Sequence, residues 1–63
     1  MELLRPLIGK KVTVFTLTAT GDKQDVGLLE DMDAAWLRLR KGEHDVMFFP
    51  IHQIRLVKPF EPL

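Results

Sequence analysis

Gly27-Leu28-Leu29-Glu30-Asp31-Met32-Asp33-Ala34-Ala35-Trp36-Leu37-Arg38-Leu39 is the stretch whose reading decides the fold. Val26 to Glu30 reads as one strand and Ala34 to Lys41 as the next, joined by an acidic turn around Asp31 and Asp33. In the second strand Ala35, Leu37 and Leu39 point one way and Trp36, Arg38 and Arg40 the other, because successive strand side chains alternate between faces. The first row belongs to a core.

Upstream, Leu3, Leu4, Leu7 and Ile8 recur at helical spacing, and Gly9 follows as a stop. Pro6 is tolerable within the first turn or so. The pattern predicts a short amphipathic helix capping one end of the domain. From Lys10 to Thr20 the period falls to two and β-branched residues dominate, which is strand chemistry. Val12 and Val14 share one face, whereas Phe15, Leu17 and Ala19 lie on the other. A bulge or strong bend is therefore expected in this strand. Ala19 to Asp25 reads as a polar turn.

Downstream, Lys41 to Asp45 reads as a hairpin loop, and Val46-Met47-Phe48-Phe49 is apolar without alternation. Such a strand is expected to be covered on both faces. Pro50 closes it, Ile51-His52-Gln53 suits a 3₁₀ connector, and Ile54 to Val57 reads as the fifth strand. Five strands with short turns predict one mainly β domain over residues 1–63, a strongly bent antiparallel SH3-like barrel.

A 63-residue chain buries only about 60% of the surface exposed by its unfolded state, so domains of this size need extra support. With no cysteine, disulfides are excluded, and oligomerisation is the favoured remedy. The chain also contains no Ser, Tyr or Asn. Its only side-chain hydroxyls are those of Thr13, Thr16, Thr18 and Thr20 on one strand, which leaves no nucleophile beside an oriented base. A non-enzymatic protein without cofactor is expected. No apolar run approaches the roughly 20 residues that span a bilayer and no secretory core follows Met1, so a cytoplasmic protein without membrane contact is expected. Nine basic and nine acidic residues cancel, and any nucleic-acid site must be a local patch.

Leu7-Ile8-Gly9-Lys10-Lys11-Val12-Thr13-Val14, Gly27-x-Leu29 with Met32-Asp33, and Pro50 through Ile54 together resemble the Sm-like (LSm) family over nearly the whole chain. The resemblance implies a short N-terminal helix and five bent antiparallel strands. It also implies pairing of the fourth strand of one subunit with the fifth strand of the next, closing a ring of about five to seven copies. The chain departs from the family in having no Asn after the Asp and no Arg-Gly or Lys-His element between the last two strands. Of the family's RNA-facing loops, the resemblance therefore maps only Asp33 and, more loosely, His52. Independently, a strand as apolar as Val46 to Phe49 is an aggregation template if left at an edge. Val46, Met47, Phe48, Phe49, Ile54 and Leu56 are accordingly the expected interface residues.

Trp36, Arg38 and Arg40, with Lys41 following, form a row of the kind single-stranded nucleic acid uses for base stacking and phosphate neutralisation. The alternative is that Trp36 packs under the N-terminal helix or a neighbouring subunit while the arginines pair with Glu30, Asp31 or Glu43. Glu30, Asp31 and Asp33 lack the spacing of a calcium loop, and neither His44 nor His52 lies in a metal-ligand pattern. No metal is expected. In a ring, one His52 per subunit can line a central pore. The sequence thus predicts a ring-forming protein that binds single-stranded RNA weakly; the rival is a protein-binding or structural barrel module with no nucleic-acid role.

Overall fold

The computed structural model describes residues 2–60, with side chains from Leu4 onward. A 3₁₀ segment (Glu2–Leu7) is followed by β1 (Lys11–Thr18), β2 (Gly21–Met32), β3 (Trp36–Gly42) and β4 (Asp45–Pro50). A second 3₁₀ turn (Ile51–Gln53) leads into β5 (Ile54–Pro59). The strands form one open antiparallel sheet in the order β4-β3-β2-β1-β5. The unpaired edges are therefore β4 and β5.

Alternation produces the core. Val12 and Val14 of β1, Leu29 and Met32 of β2, Leu37 and Leu39 of β3 and Phe49 of β4 are buried together, and Ile54 and Val57 pack against them. Each fully buried Val or Leu contributes about 1.5–3 kcal/mol relative to exposure. Gly27 occupies an inward position opposite Val12. A Cβ there would fall 2.6 Å from the Arg40 carbonyl oxygen and 3.0 Å from Leu39 Cγ. Glycine at this position lets β3 close onto β2, which is the physical content of the Gly-x-Leu pattern.

Several local expectations are corrected. The N-terminal segment is 3₁₀ rather than a regular amphipathic helix, although Leu4, Leu7 and Ile8 do pack against the core. Gly9 then turns the chain at φ 89° and donates to the Leu29 carbonyl oxygen at 2.7 Å. The apolar face of β1 does not change sides. Thr16 follows Val12 and Val14 inward, and Leu17 is left 63% exposed. The irregularity lies across the ladder, where Arg55 is an extra residue between Leu56, opposite Phe15, and Ile54, opposite Thr16.

The polar run after Thr18 is mostly strand. β2 begins at Gly21, and only Ala19 and Thr20 make the turn, held by Thr18 Oγ1, which donates to the Gly21 carbonyl oxygen at 2.6 Å. Its length, 12 residues, carries β2 past the core, so its early residues lie exposed. In β4, Phe49 is buried and Met47 partly so, but Phe48 is 59% exposed. A single chain covers only one face of this strand.

Candidate functional site

The outer face of β3 and β4 is set by their register. Trp36 lies opposite Pro50, Arg38 opposite Phe48 and Arg40 opposite Val46. Trp36 is 48% exposed, so it packs neither under the N-terminal segment nor into the core. Together with Asp31, Met32, Asp33, Arg38 and Phe48, it lines a cleft of about 110 Å3. A shallower hollow beside the cleft shares Asp33, Trp36 and Phe48.

The arginine row is internally neutralised. Between Leu29, opposite Leu39, and Asp31, opposite Arg38, Glu30 is the extra residue of a bulge. The bulge brings its carboxylate between the two arginines. Arg40 Nε donates to Glu30 Oε2 at 2.5 Å, and Arg40 Nη1 donates to the Glu43 carbonyl oxygen at 2.9 Å. Arg38 Nε lies 3.2 Å from Glu30 Oε1, an ion pair without hydrogen-bond alignment. With Asp31 and Asp33 also present, the stretch from Trp36 to Arg40 carries three carboxylates against two guanidinium groups, and the cleft itself two carboxylates against Arg38 alone.

Lys41 leaves the outer row altogether. As the extra residue between Arg40 and Gly42 of the β3–β4 ladder, it turns to Asp25, and its Nζ donates to Asp25 Oδ1 at 2.9 Å. Asp25 is 3% exposed and continues the inward row of Gly27 and Leu29. Its other oxygen, Oδ2, is buried and accepts no hydrogen bond from the described residues. The hydrogen bond to Asp25 and the charge of that carboxylate, with a further contribution from Asp45, raise the Lys41 pKa. Sequence reading placed Asp25 in a turn. Counting back by twos from Leu29 through Gly27 would have put it on the core face.

Asp33 closes the β2–β3 turn. Its Oδ1 accepts the backbone N–H groups of Trp36 and Ala35, each at 2.8 Å. These bonds, Trp36 first, hold its carboxyl below the ordinary value. This turn and the second 3₁₀ turn are joined, since Ile51 N donates to the Ala35 carbonyl oxygen at 2.8 Å. Asp33 and the exposed His52 thus belong to two hydrogen-bonded loops at one end of the sheet. His44 lies in the exposed turn at the other end of β4. No group of three or more His, Cys, Asp or Glu residues able to hold a metal ion occurs among the described residues.

The interface residues expected from sequence divide by face. Met47, Phe49 and Ile54 turn to the core, whereas Phe48 and Leu56, 59% and 48% exposed, stand on the outer face of the two free edges. Val46 is half-buried opposite Arg40. Among the described residues, no helix is long and apolar enough to cross a membrane. The chain matches no protein-family model, no curated protein and no solved structure.

Proposed function

We propose that this chain is a non-enzymatic Sm-like module of the SH3-like barrel type. Copies assemble head to tail, β4 of one against β5 of the next, into a closed cytoplasmic ring. The observation that carries the reading is the strand order: β4 and β5 are the two free edges of one open sheet. Each edge presents an exposed large apolar side chain, Phe48 on β4 and Leu56 on β5. An exposed apolar edge is a template for uncontrolled pairing, and a heterologous contact that closes into a ring removes every such edge at once. The resemblance of Gly27-x-Leu29 with Met32-Asp33 to Sm-like sequences supports the same arrangement.

Weak single-stranded RNA binding is the activity we assign to that ring. It is favoured by the hydrogen bond that joins the Asp33 turn to the His52 turn, the two loops that the resemblance maps to RNA. Repetition around a ring multiplies a weak contact. The paired state of Arg38 and Arg40 favours contact through these loops over phosphate neutralisation by the arginine row. Native mass spectrometry of protein purified without nuclease tests both parts. A closed oligomer carrying RNA supports the full reading; a closed oligomer with nothing bound leaves a structural or protein-binding ring; a monomer rejects the ring.

A further inference from the structure

We infer that the Trp36–Phe48 cleft is the receptor for a basic side chain, and that its occupant is Lys58 from the neighbouring copy of this chain. The inference rests on the β4-to-β5 assembly proposed above and adds the contact that orients it.

The cleft has the composition of a cation site. Two aromatic side chains, 48% and 59% exposed, stand beside the carboxylates of Asp31 and Asp33. The one cation in its lining, Arg38, is drawn to Glu30. Aromatic faces attract ammonium and guanidinium groups, most strongly where water is displaced. An anionic phosphate would instead meet carboxylates.

β5 offers the matching group. Leu56 and Lys58 both point outward on this edge, while Val57 between them turns to the core. Arg55 is already engaged with Asp22, whereas the Lys58 side chain makes no ion pair or hydrogen bond among the described residues. Pairing β4 with β5 of the next copy extends one sheet, so outward residues of β5 must flank outward residues of β4. Only registers of one parity allow this. With the two strands antiparallel, the register that sets the partner's Lys58 opposite Phe48 delivers its ammonium group to the cleft, at about 5 Å between facing residues. The register two residues away, with the partner's Leu56 opposite Phe48, sets the partner's Lys58 opposite Val46, on the Arg40 side and away from Trp36, so the inference takes the first register.

Trp36 is the only tryptophan and reports on the cleft directly. The test measures assembly by analytical ultracentrifugation for the native chain, Lys58→Met, Trp36→Leu, the double variant and Lys10→Met, and Trp36 emission for the three of these that keep Trp36. Circular dichroism confirms that each is folded. Dilution of the native ring is expected to change Trp36 emission as copies separate. Lys58→Met and Trp36→Leu should each weaken assembly about tenfold, the double variant no further than either alone, and Lys10→Met not at all. An intact ring in which Lys58→Met and Trp36→Leu act independently or have no effect overturns the cleft assignment while leaving the ring. Equal quenching of Trp36 by oligouridine in native and Lys58→Met rings also overturns it, in favour of a base as occupant. A native chain that stays monomeric overturns the ring and this contact together.

Discussion

Glu30 Oε2 accepts the Arg40 Nε–H at 2.5 Å, and this pair exists because a bulge in β2 turns Glu30 toward β3. The same carboxylate reaches Arg38, so one acidic residue quenches the row that most resembles a nucleic-acid platform. Glu30→Gln should therefore release both arginines. RNA affinity at low salt is expected to rise, and the slope of log affinity against log salt to steepen by up to about 1.4, at about 0.7 per newly available cation. Because the arginine side chains are 43% and 38% exposed, the stability cost should be about 1 kcal/mol or less. Filter binding across a salt series checks the first expectation; an unchanged slope would show that the arginines do not face the strand.

Gly27 sets the distance between β2 and β3. Gly27→Ala would place a methyl carbon 2.6 Å from the Arg40 carbonyl oxygen, which is backbone and cannot rotate away. The substitution should cost about 1–3 kcal/mol by overpacking. Urea unfolding measures it, and a loss below 0.5 kcal/mol, on the order of an ordinary surface change, would mean that the sheet relaxes freely at this point.

The central hairpin was legible because its alternation is clean. Leu37 and Leu39 point in, and Trp36, Arg38 and Arg40 begin the opposite row. The errors fall where local pattern and tertiary position part. Asp22 to Asp25 looks like a turn because it is polar, yet it is strand, running beyond the core at Asp22 to Gln24 and turning inward at Asp25. Leu17 looks like a core residue because it is apolar, yet Thr16 holds the inward position. The bulges at Glu30, Lys41 and Arg55 carry no composition signal. They nevertheless decide which charges meet: Glu30 is one of three partners the sequence offers the arginines, and the bulge selects it, whereas the Asp25–Lys41 pair is legible only in the folded chain.

Two titrating groups bound the stability profile. The depressed pKa of Asp33 means that its turn contributes stability above the ordinary carboxyl value of 3.8, and this contribution is lost as pH falls through the lowered folded value. Lys41 has the opposite sign. Its raised pKa contributes stability below the ordinary value of 10.5, lost as pH rises through the still higher folded value. The stability difference between native protein and Asp33→Ala should hold at neutral pH and narrow below pH 3.8, and that with Lys41→Met should narrow above pH 10.5. Denaturation midpoints at pH 2.5, 7 and 11.5, the outer two chosen about one unit beyond these limits, check both signs.

The Asp25–Lys41 pair also orders a set of variants. Lys41→Met leaves the buried Asp25 carboxylate without its cation, whereas Lys41→Met combined with Asp25→Val removes both charges. The double variant should be the more stable of the two, because an orphaned buried charge costs more than an absent pair. Equal midpoints for the two would show that Asp25 is hydrated in the native state.

Phe48 and Leu56 lie on separate edges of one sheet, so Phe48→Glu or Leu56→Glu should abolish assembly while leaving the monomer folded. The most direct test of the central claim is native mass spectrometry of the unmodified protein. The account predicts one closed oligomer at an integral multiple of the 7.3 kDa chain mass, reduced to monomer by either edge substitution. A native monomer at tens of micromolar, with folded far-ultraviolet dichroism, would contradict it.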